Sequence, residues 1–265
     1  MDTRQRMIRV YDKTMIGRHQ RRYYGDSDFF NFGYWGDGAK NQAEASASLV
    51  DQLLARIPRK SDEILDVACG LGASTRRLLA HYPAEAITAI NISEKQLARA
   101  RENAPGCTFL LMDAAKLDFR DECFDAIICV EAAFHFETRA AFLAEAFRVL
   151  KPGGTLVLSD ILFKPILSRF SDRAQVPKAN LLPSIAEYRD LLAGLGFTDI
   201  AIDDETGNCL DGFRRNLAAW PTRERAAGRM SFGTGLAARL VAKGIAAWFG
   251  LTSKKYLLVC ARRPE

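Results

Sequence analysis

The sequence predicts an α/β fold in which a mainly parallel, seven-stranded sheet carries helices on both faces. Between residues 63 and 160, short β-branched runs alternate with helical stretches, as successive strand–helix units require. The first strand runs into a glycine-rich turn before a helix, which places that turn at the ligand-binding edge of an open sheet. Seven segments have strand character: residues 64–69, 86–92, 108–112, 124–130, 154–160, 198–203 and 255–262.

Polar residues at fixed spacings mark the starts of three helices. Ser93 precedes Gln96, and Ser184 precedes Glu187, at the capping-box spacing in which each side chain satisfies a free backbone N–H. Thr138 is placed to cap a third helix, which the Lys-Pro-Gly-Gly run after it ends.

The chain divides into an N-terminal lid and a core. Residues 1–57 combine a helical start, an aromatic segment punctuated by glycine and a further helix, and we interpret them as a lid. Residues 58–265 form the core, with a helical cap inserted at about residues 162–251. An apolar stripe recurs in the cap near helical spacing: Leu236, Leu240, Val241, Ile245, Trp248 and Phe249. We expect this stripe to pack on the sheet, and contact with a membrane surface is the alternative.

The composition indicates a folded globular protein. Hydrophobic residues make up 48% and charged residues 26%, as in ordinary domains. The net charge of +5 comes from scattered Lys and Arg, without the concentrated basic stripe and stacking aromatics of a nucleic-acid interface. There is no signal-peptide pattern and no apolar run long enough to span a bilayer. We therefore expect a cytoplasmic protein without nucleic-acid binding or stable membrane insertion, and a homodimer is compatible with these features.

Cysteine and histidine usage argues against a metal site. The six cysteines form no C-x-x-C pair, and the three histidines lack the spacing of metal ligands on one helix or hairpin. We expect reduced thiols and no bound metal.

The strongest local signal is the turn that follows the first strand. Gly70 and Gly72 let the backbone approach a ligand closely because neither carries a Cβ. The third glycine of a dinucleotide-binding G-x-G-x-x-G pattern would fall at Thr75, which argues against NAD. Asn91 and Asp113 end the next two strands and offer separate partners for a ribose and an exocyclic amine. The pattern therefore predicts a site for a nucleoside without a phosphate.

Taken together, residues 63–160 resemble the core of the class I S-adenosylmethionine-dependent methyltransferases. The matching motifs are Asp66-x-Ala68-x-Gly70-x-Gly72, Ile90-Asn91-Ile92-Ser93-x-x-Gln96, Asp113-Ala114, Phe124-Asp125, Glu131-Ala132-Ala133-Phe134-His135 and Leu150-Lys151-Pro152-Gly153-Gly154. With Asn31-Phe32-Gly33-Tyr34-Trp35 they are similar to the small-molecule branch of tocopherol-type, sugar and natural-product enzymes. The resemblance implies a Rossmann-like fold and S-adenosylmethionine as cofactor, with S-adenosylhomocysteine as product.

The resemblance also implies which residues contact the cofactor. Asp66 would fix the turn and face the methionine amino group. Asn91 would bind the ribose hydroxyls, and Asp113 would accept a hydrogen bond from the adenine amino group. Many class I enzymes have an acid where this chain has Asn91. The full implied set is Asp66, Ala68, Gly70, Gly72, Asn91, Ile92, Gln96, Asp113, Ala114 and Tyr24.

His135 is the first candidate for catalysis. It follows the fourth strand, where the transferred methyl group should emerge, and an imidazole suits a general base that deprotonates an acceptor hydroxyl. A packed loop histidine is the alternative. Glu131 is the second candidate, although an acid at a strand end equally hydrogen-bonds backbone. For acceptor binding we expect Phe29, Tyr34, Trp35 and His135, with ordinary aromatic packing as the alternative for the rings.

The sequence therefore predicts an enzyme that methylates a small, fairly apolar molecule. O-methylation is favoured because His135 offers a base. N- or C-methylation on the same scaffold is the runner-up, and a nucleoside-binding module without catalysis is the rival from another class. A nucleic-acid methyltransferase is disfavoured, because the Asn-Pro-Pro-aromatic loop of those enzymes is replaced here by the segment that begins at Glu131.

Overall fold

The computed structural model describes residues 3–15, 17–58, 63–170 and 175–265, and these contain one seven-stranded sheet. Its strands are β1 (Ile64–Val67), β2 (Ile87–Asn91), β3 (Thr108–Leu111), β4 (Phe124–Val130), β5 (Leu150–Phe163), β6 (Thr198–Asp204) and β7 (Ser253–Arg262). The order across the sheet is β3-β2-β1-β4-β5-β7-β6. Strand β7 runs antiparallel to β5 and β6, and the other pairs are parallel. The predicted Rossmann-like sheet is confirmed.

Helices precede, connect and follow the strands. They are α1 (Thr3–Met15), α2 (Arg18–Tyr23), α3 (Gln42–Leu54), α4 (Ala73–Leu78), α5 (Glu94–Asn103), α6 (Arg139–Val149), α7 (Ile185–Gly194), α8 (Gly212–Ala226) and α9 (Phe232–Thr252). The hydroxyls of Ser93, Thr138 and Ser184 accept backbone N–H groups in the first turns of α5, α6 and α7, at 3.3, 3.2 and 3.2 Å. The three predicted N-caps are therefore confirmed.

The alternation of side chains along the strands fills one core on each face of the sheet. Ile64 of β1 belongs to the core that α3 covers, whereas its neighbour Leu65 belongs to the core that α6 and α7 cover. Both side chains are fully buried. Successive strand residues point to opposite faces, so a run that is apolar throughout requires helices on both sides.

Strand β5 is longer than the predicted segment 154–160. It already pairs at its first residue, Leu150 with Phe124, and it ends with Phe163 opposite Ser253. The pairing between β4 and β5 is irregular after Phe124, and this bulge accommodates Pro152, which has no N–H to donate to a ladder. The run that ends α6 is thus part of the strand that follows it.

Helices α8 and α9 form a hairpin inserted between β6 and β7, and the hairpin corrects one expectation. The predicted apolar stripe of α9 does not pack on the sheet: Leu240 is 66% and Val241 62% exposed. The helix instead buries small residues, among them Ala242 and Ala246, and Arg214 of α8 donates to the carbonyl of Ala246 at 2.8 Å. Small side chains allow the two helices to approach closely, which turns the large ones outward.

Phe249 is the exception in the stripe. Its ring contacts Phe32 and Phe213 in the core, at centroid distances of 4.9 and 5.7 Å. None of the described helices has both the length and the hydrophobicity to cross a membrane.

Candidate active site

A cavity of about 390 Å³ opens where β1, β2 and β4 end. This edge adjoins the point at which the order of the strands reverses, where open α/β sheets bind ligands. The volume lies in the range of small-molecule sites. Nine of the predicted site residues line it: Ala68, Gly70, Asn91, Ile92, Gln96, Asp113, Ala114, Glu131 and His135.

The two glycines of the turn have different surroundings. Gly70 lines the cavity with φ +56°, and a Cβ there would lie 2.8 Å from the side chain of Met15 in α1. Gly72 has φ +81° and does not line the cavity; a Cβ there would lie 2.7 Å from the Cα of Ala100 in α5. Gly72 therefore permits the close packing of α4 on α5, whereas Gly70 permits the close approach of Met15 at the border of the cavity.

Asp66 is buried beneath the turn, and one of its oxygens holds the start of α4. Its Oδ2 accepts hydrogen bonds from the hydroxyls of Ser74 and Thr75 at 2.8 and 2.7 Å. Its Oδ1 is buried and has no hydrogen-bond partner in the part of the chain that the structure describes. Burial raises the pKa of Asp66 to about 6, against hydrogen bonds that lower it. A buried acceptor of this kind fits a cationic amino group.

Asn91 and Gln96 join the end of β2 to the N-terminal helix. The Asn91 amide donates to Gln96 Oε1 at 2.9 Å, and the Gln96 amide donates to Asp12 Oδ1 at 2.9 Å. The Ser93 hydroxyl also donates to Asp12 Oδ1, at 2.7 Å. Asp12 thus places a carboxylate from α1 near the end of β2, where the strand itself carries the amide of Asn91. The sequence carries no signal for this role of Asp12, because only folding places α1 over the turn.

The end of β3 supplies the next wall of the cavity. Asp113 and Ala114 both line it, and Asp113 Oδ1 accepts the backbone N–H of Ala115 at 2.9 Å. This bond orients the Asp113 carboxylate at the edge of the sheet, next to Asn91.

His135 lies in a single 3₁₀ turn, Ala133–His135, directly after β4. Its Nδ1 lies 2.7 Å from the carbonyl oxygen of Gln175. A carbonyl only accepts, so Nδ1 carries the proton and Nε2 is the acceptor. The hydroxyl of Tyr11 in α1 donates to that Nε2. Burial lowers the pKa of His135 to about 4, so the ring is neutral at neutral pH.

Glu131 connects the end of β4 with the lid. Its Oε1 accepts the backbone N–H of Phe32 at 2.7 Å and the Tyr256 hydroxyl at 2.5 Å. Burial raises the pKa of Glu131 to about 8. Glu131 lines the cavity, but its observed bonds hold the aromatic segment in place.

The aromatic residues of the lid divide into two groups. Phe29 lines a second cavity of about 50 Å³ beside Gly70, and Phe30, which the sequence analysis did not select, lines both cavities. Tyr24 is buried, and its ring contacts Tyr23 and Phe30 at centroid distances of 5.2 Å each, outside both cavities.

Tyr34 and Trp35 are not brought to either cavity. The Tyr34 hydroxyl accepts a hydrogen bond from Asn208 at 3.3 Å, and the Trp35 indole donates to the Phe32 carbonyl at 3.0 Å. The Trp35 ring packs against Gly212 at the start of α8. Both side chains therefore face the base of the hairpin, which corrects the expectation that they contact an acceptor in this cavity.

Comparisons with known proteins identify the family of the chain. A family model described as a methyltransferase domain matches residues 65–158. The O-methyltransferase cnsE of Penicillium expansum is 31% identical over 194 residues, which are 66% of this chain and 67% of that protein. The 27-O-demethylrifamycin SV methyltransferase of Amycolatopsis mediterranei is 36% identical over 140 residues, which are 50% of this chain and 51% of that protein.

Solved structures share the fold along its length. The geranyl diphosphate C-methyltransferase of Streptomyces coelicolor A3(2), solved with S-adenosyl-L-homocysteine, matches with a TM-score of 0.71 at 15% identity. The match covers 99% of this chain and 98% of that one. The unpaired Asp66 oxygen and the space beside Gly70 fit the amino-acid part of S-adenosylmethionine. The chain belongs to the class I S-adenosylmethionine-dependent methyltransferases.

Proposed function

We propose that this enzyme methylates a hydroxyl group of a small, mostly apolar molecule, with His135 as the general base. The observation that carries the proposal is the fixed tautomer of His135. Because the Gln175 carbonyl holds the proton on Nδ1, Nε2 is the hydrogen-bond acceptor of the ring, and the Tyr11 hydroxyl occupies it in this structure. A base in that position suits an acceptor that must lose a proton as it is methylated.

The cofactor half of the site is built from the ends of three strands. Asp66 Oδ1 would accept the amino group, Asn91 and Gln96 would lie beside the ribose, and Asp113 with Ala114 would border the base. When bound, S-adenosylmethionine supplies an electrophilic methyl group on a sulfonium. Holding the acceptor in line with that methyl accounts for much of the rate enhancement, so the chain's main contributions are position and exclusion of water.

His135 would then take the acceptor's proton. In this structure the Tyr11 hydroxyl donates a hydrogen bond to Nε2. A hydroxyl of the methyl acceptor that replaced the Tyr11 hydroxyl would donate to the same nitrogen. The ring is neutral at neutral pH because burial lowers its pKa to about 4. General-base assistance of this kind contributes roughly 10²–10⁴-fold to the rate.

The remaining walls of the cavity indicate the chemistry of the acceptor. The apolar part of the lining includes Ile8 of α1, Phe30 of the lid and Val176. Lys178 contributes a basic side chain to the described lining. An uncharged, largely apolar molecule fits these walls better than a polyanion such as a nucleic acid. One of the two relatives described above is named as an O-methyltransferase. The name of the other refers to an O-demethylated form of rifamycin.

N- or C-methylation remains the second candidate. The solved C-methyltransferase has the same fold, so the scaffold by itself does not select the atom that is methylated. An amine acceptor can arrive with a free lone pair and would depend less on His135. A nucleoside-binding module without catalysis would bind the cofactor and produce no methylated product.

We also propose how the chain is divided between lid, core and cap. We assign residues 1–57 to a lid and residues 58–265 to the core. Of the cap predicted at about residues 162–251, the α8–α9 hairpin is inserted between two strands, whereas β6 belongs to the sheet itself. Met7, Tyr11 and Met15 of α1 line the cavity, which supports the lid. A cytoplasmic location and a homodimer stay predictions.

Titration calorimetry with S-adenosylmethionine, S-adenosylhomocysteine and NAD tests the cofactor site. We expect both sulfur nucleosides to bind, NAD not to bind, and Asp113→Ala to weaken binding of the nucleosides. Turnover is then followed by mass spectrometry with panels of phenols, secondary alcohols and amines. Methylated phenols or alcohols whose yield depends on His135 would support O-methylation, whereas products from amines alone would support the second candidate.

A further inference from the structure

We propose that α9 docks this protein on the surface of an anionic membrane, with its large apolar side chains at the boundary between headgroups and acyl chains. The inference is independent of which acceptor is methylated. It rests on the exposure, the helical arrangement and the charge of the α8–α9 hairpin.

Exposed apolar side chains are concentrated on one helix. Nine large hydrophobic residues are exposed in the part of the chain that the structure describes, and seven of them lie on α9. Those seven are Phe232, Leu236, Leu240, Val241, Ile245, Trp248 and Leu251. A contiguous apolar surface of this kind marks an interaction site rather than ordinary surface variation.

The helix has its large and small residues on opposite sides. Gly235, Ala242 and Ala246 are buried and share the side that faces the protein. At 100° per residue, positions 236, 240, 241, 248 and 251 fall on the half of the helix turned away from that side, and position 245 lies at its border. A helix that only covered the core would turn its large apolar residues toward the protein and polar residues toward the solvent. The outward apolar half is therefore available to a partner.

The charge of the hairpin matches an anionic partner. Residues 212–252 contain seven basic residues and one acid, a net charge of +6, whereas the whole chain carries +5. The acid, Glu224, is buried and paired with Arg22 and Arg229 at 2.8 and 2.6 Å. Arg239 and Lys243 are exposed on α9 beside the apolar half, where they can reach lipid phosphates.

A membrane fits this face better than a second copy of the chain. A symmetric dimer through α9 would bring together two helices that carry Arg239 and Lys243 but no acid. Like charges in a desolvated interface oppose association, whereas the same side chains are attracted to an anionic bilayer. Trp248 is 37% exposed at the apolar half, and tryptophan favours the membrane–water boundary. No described helix can span the bilayer, so the contact would be peripheral.

Co-sedimentation with vesicles tests the proposal. We expect the protein to bind vesicles of equal parts phosphatidylglycerol and phosphatidylcholine and to stay in solution with phosphatidylcholine alone. The double variant R239Q/K243Q should bind the mixed vesicles about thirtyfold more weakly at low ionic strength. The double variant L240S/V241S should lose at least about tenfold through its apolar contacts.

Leu111→Ser is the matched control, because Leu111 is 59% exposed but lies on β3 rather than on the hairpin. It should bind vesicles like the wild type. Titration with S-adenosylmethionine checks that each variant is folded. Equal binding of Leu111→Ser and L240S/V241S, or no binding by the wild type, would overturn the proposal.

Two further measurements distinguish a membrane from a dimer. Tryptophan fluorescence should shift to the blue on mixed vesicles and lose that shift in Trp248→Phe, while the sedimented fraction is retained. Light scattering without lipid should give one mass for the wild type and L240S/V241S. A dimer that L240S/V241S converts to monomer, without vesicle binding by either protein, would assign the face to a second copy and refute the membrane proposal.

Discussion

The carbonyl of Gln175 accepts the Nδ1–H of His135 at 2.7 Å and thereby determines which nitrogen of the ring can act as a base. The two residues are forty positions apart in the chain. The bond leaves the Nε2 lone pair facing Tyr11 and the cavity. A neutral imidazole of fixed tautomer is what general-base catalysis at a hydroxyl requires.

Replacement of His135 by alanine should lower kcat for a hydroxyl acceptor by roughly 10²–10⁴-fold, because the base is lost. Affinity for S-adenosylmethionine, measured by calorimetry, should change little. His81→Ala is the control, since His81 is exposed and lies outside both cavities. Full turnover by folded, cofactor-bound His135→Ala would exclude His135 as the base.

Asp12→Ala should weaken binding of S-adenosylmethionine about tenfold, because two hydrogen bonds that hold α1 over the site are lost. The change should appear mainly as faster dissociation in stopped-flow fluorescence, since a loosened lid opens more often. Lys13→Ala alters the next residue, which is exposed, and should leave dissociation unchanged. If the two variants behave alike, α1 does not act as a lid.

Glu131→Gln should reduce the pH dependence of stability. Burial raises the pKa of Glu131 from 4.5 to about 8 in the folded chain. Its stabilising contribution is therefore present in full below about pH 4.5 and is lost as the pH rises to about 8. Urea unfolding at pH 5 and pH 8 should show a decline in the wild type that is smaller in the variant by on the order of 2 kcal/mol. Parallel declines would contradict the burial of this carboxyl group.

Gly72→Ala should destabilise the fold by about 2–4 kcal/mol, through its left-handed φ and the contact of the new Cβ with the backbone of α5. Gly244→Ala is the matched change. Among the described residues, no atom outside the backbone of its own helix and its two chain neighbours lies within 4 Å of a Cβ at that position, so the substitution should stabilise the fold by up to about 1 kcal/mol. Thermal unfolding compares the two variants. Equal effects would show that Gly72 is not needed for the packing of α4 on α5.

The sequence was informative where the signal is local. Strand periodicity, the caps at Ser93, Thr138 and Ser184, and the turn at Gly70 all depend on residues a few positions apart. Sequence reasoning therefore predicted the sheet and collected nine of the residues that line the cavity. It also noted that Thr75 stands where a dinucleotide-binding turn would have its third glycine. In the structure the Thr75 hydroxyl donates a hydrogen bond to Asp66.

The remaining features depend on contacts between distant parts of the chain. Tyr11 meets His135, and Asp12 meets Ser93, across separations of 124 and 81 residues. No spacing rule links such positions. The orientation of α9 is a similar case, because hydropathy located its apolar stripe without indicating whether the protein or the solvent lies against it.

The sequence by itself determined the order of strands and helices, the glycine turn and the family, because backbone preferences and the spacing of side chains act over short distances. Only the tertiary structure decided that α1 covers the cavity, that Tyr34 and Trp35 face the hairpin, and that α9 turns its large side chains outward. The physical reason is that packing chooses among faces that are equivalent locally. Small residues let α9 approach α8 on one side, and the large apolar residues on the opposite side are exposed.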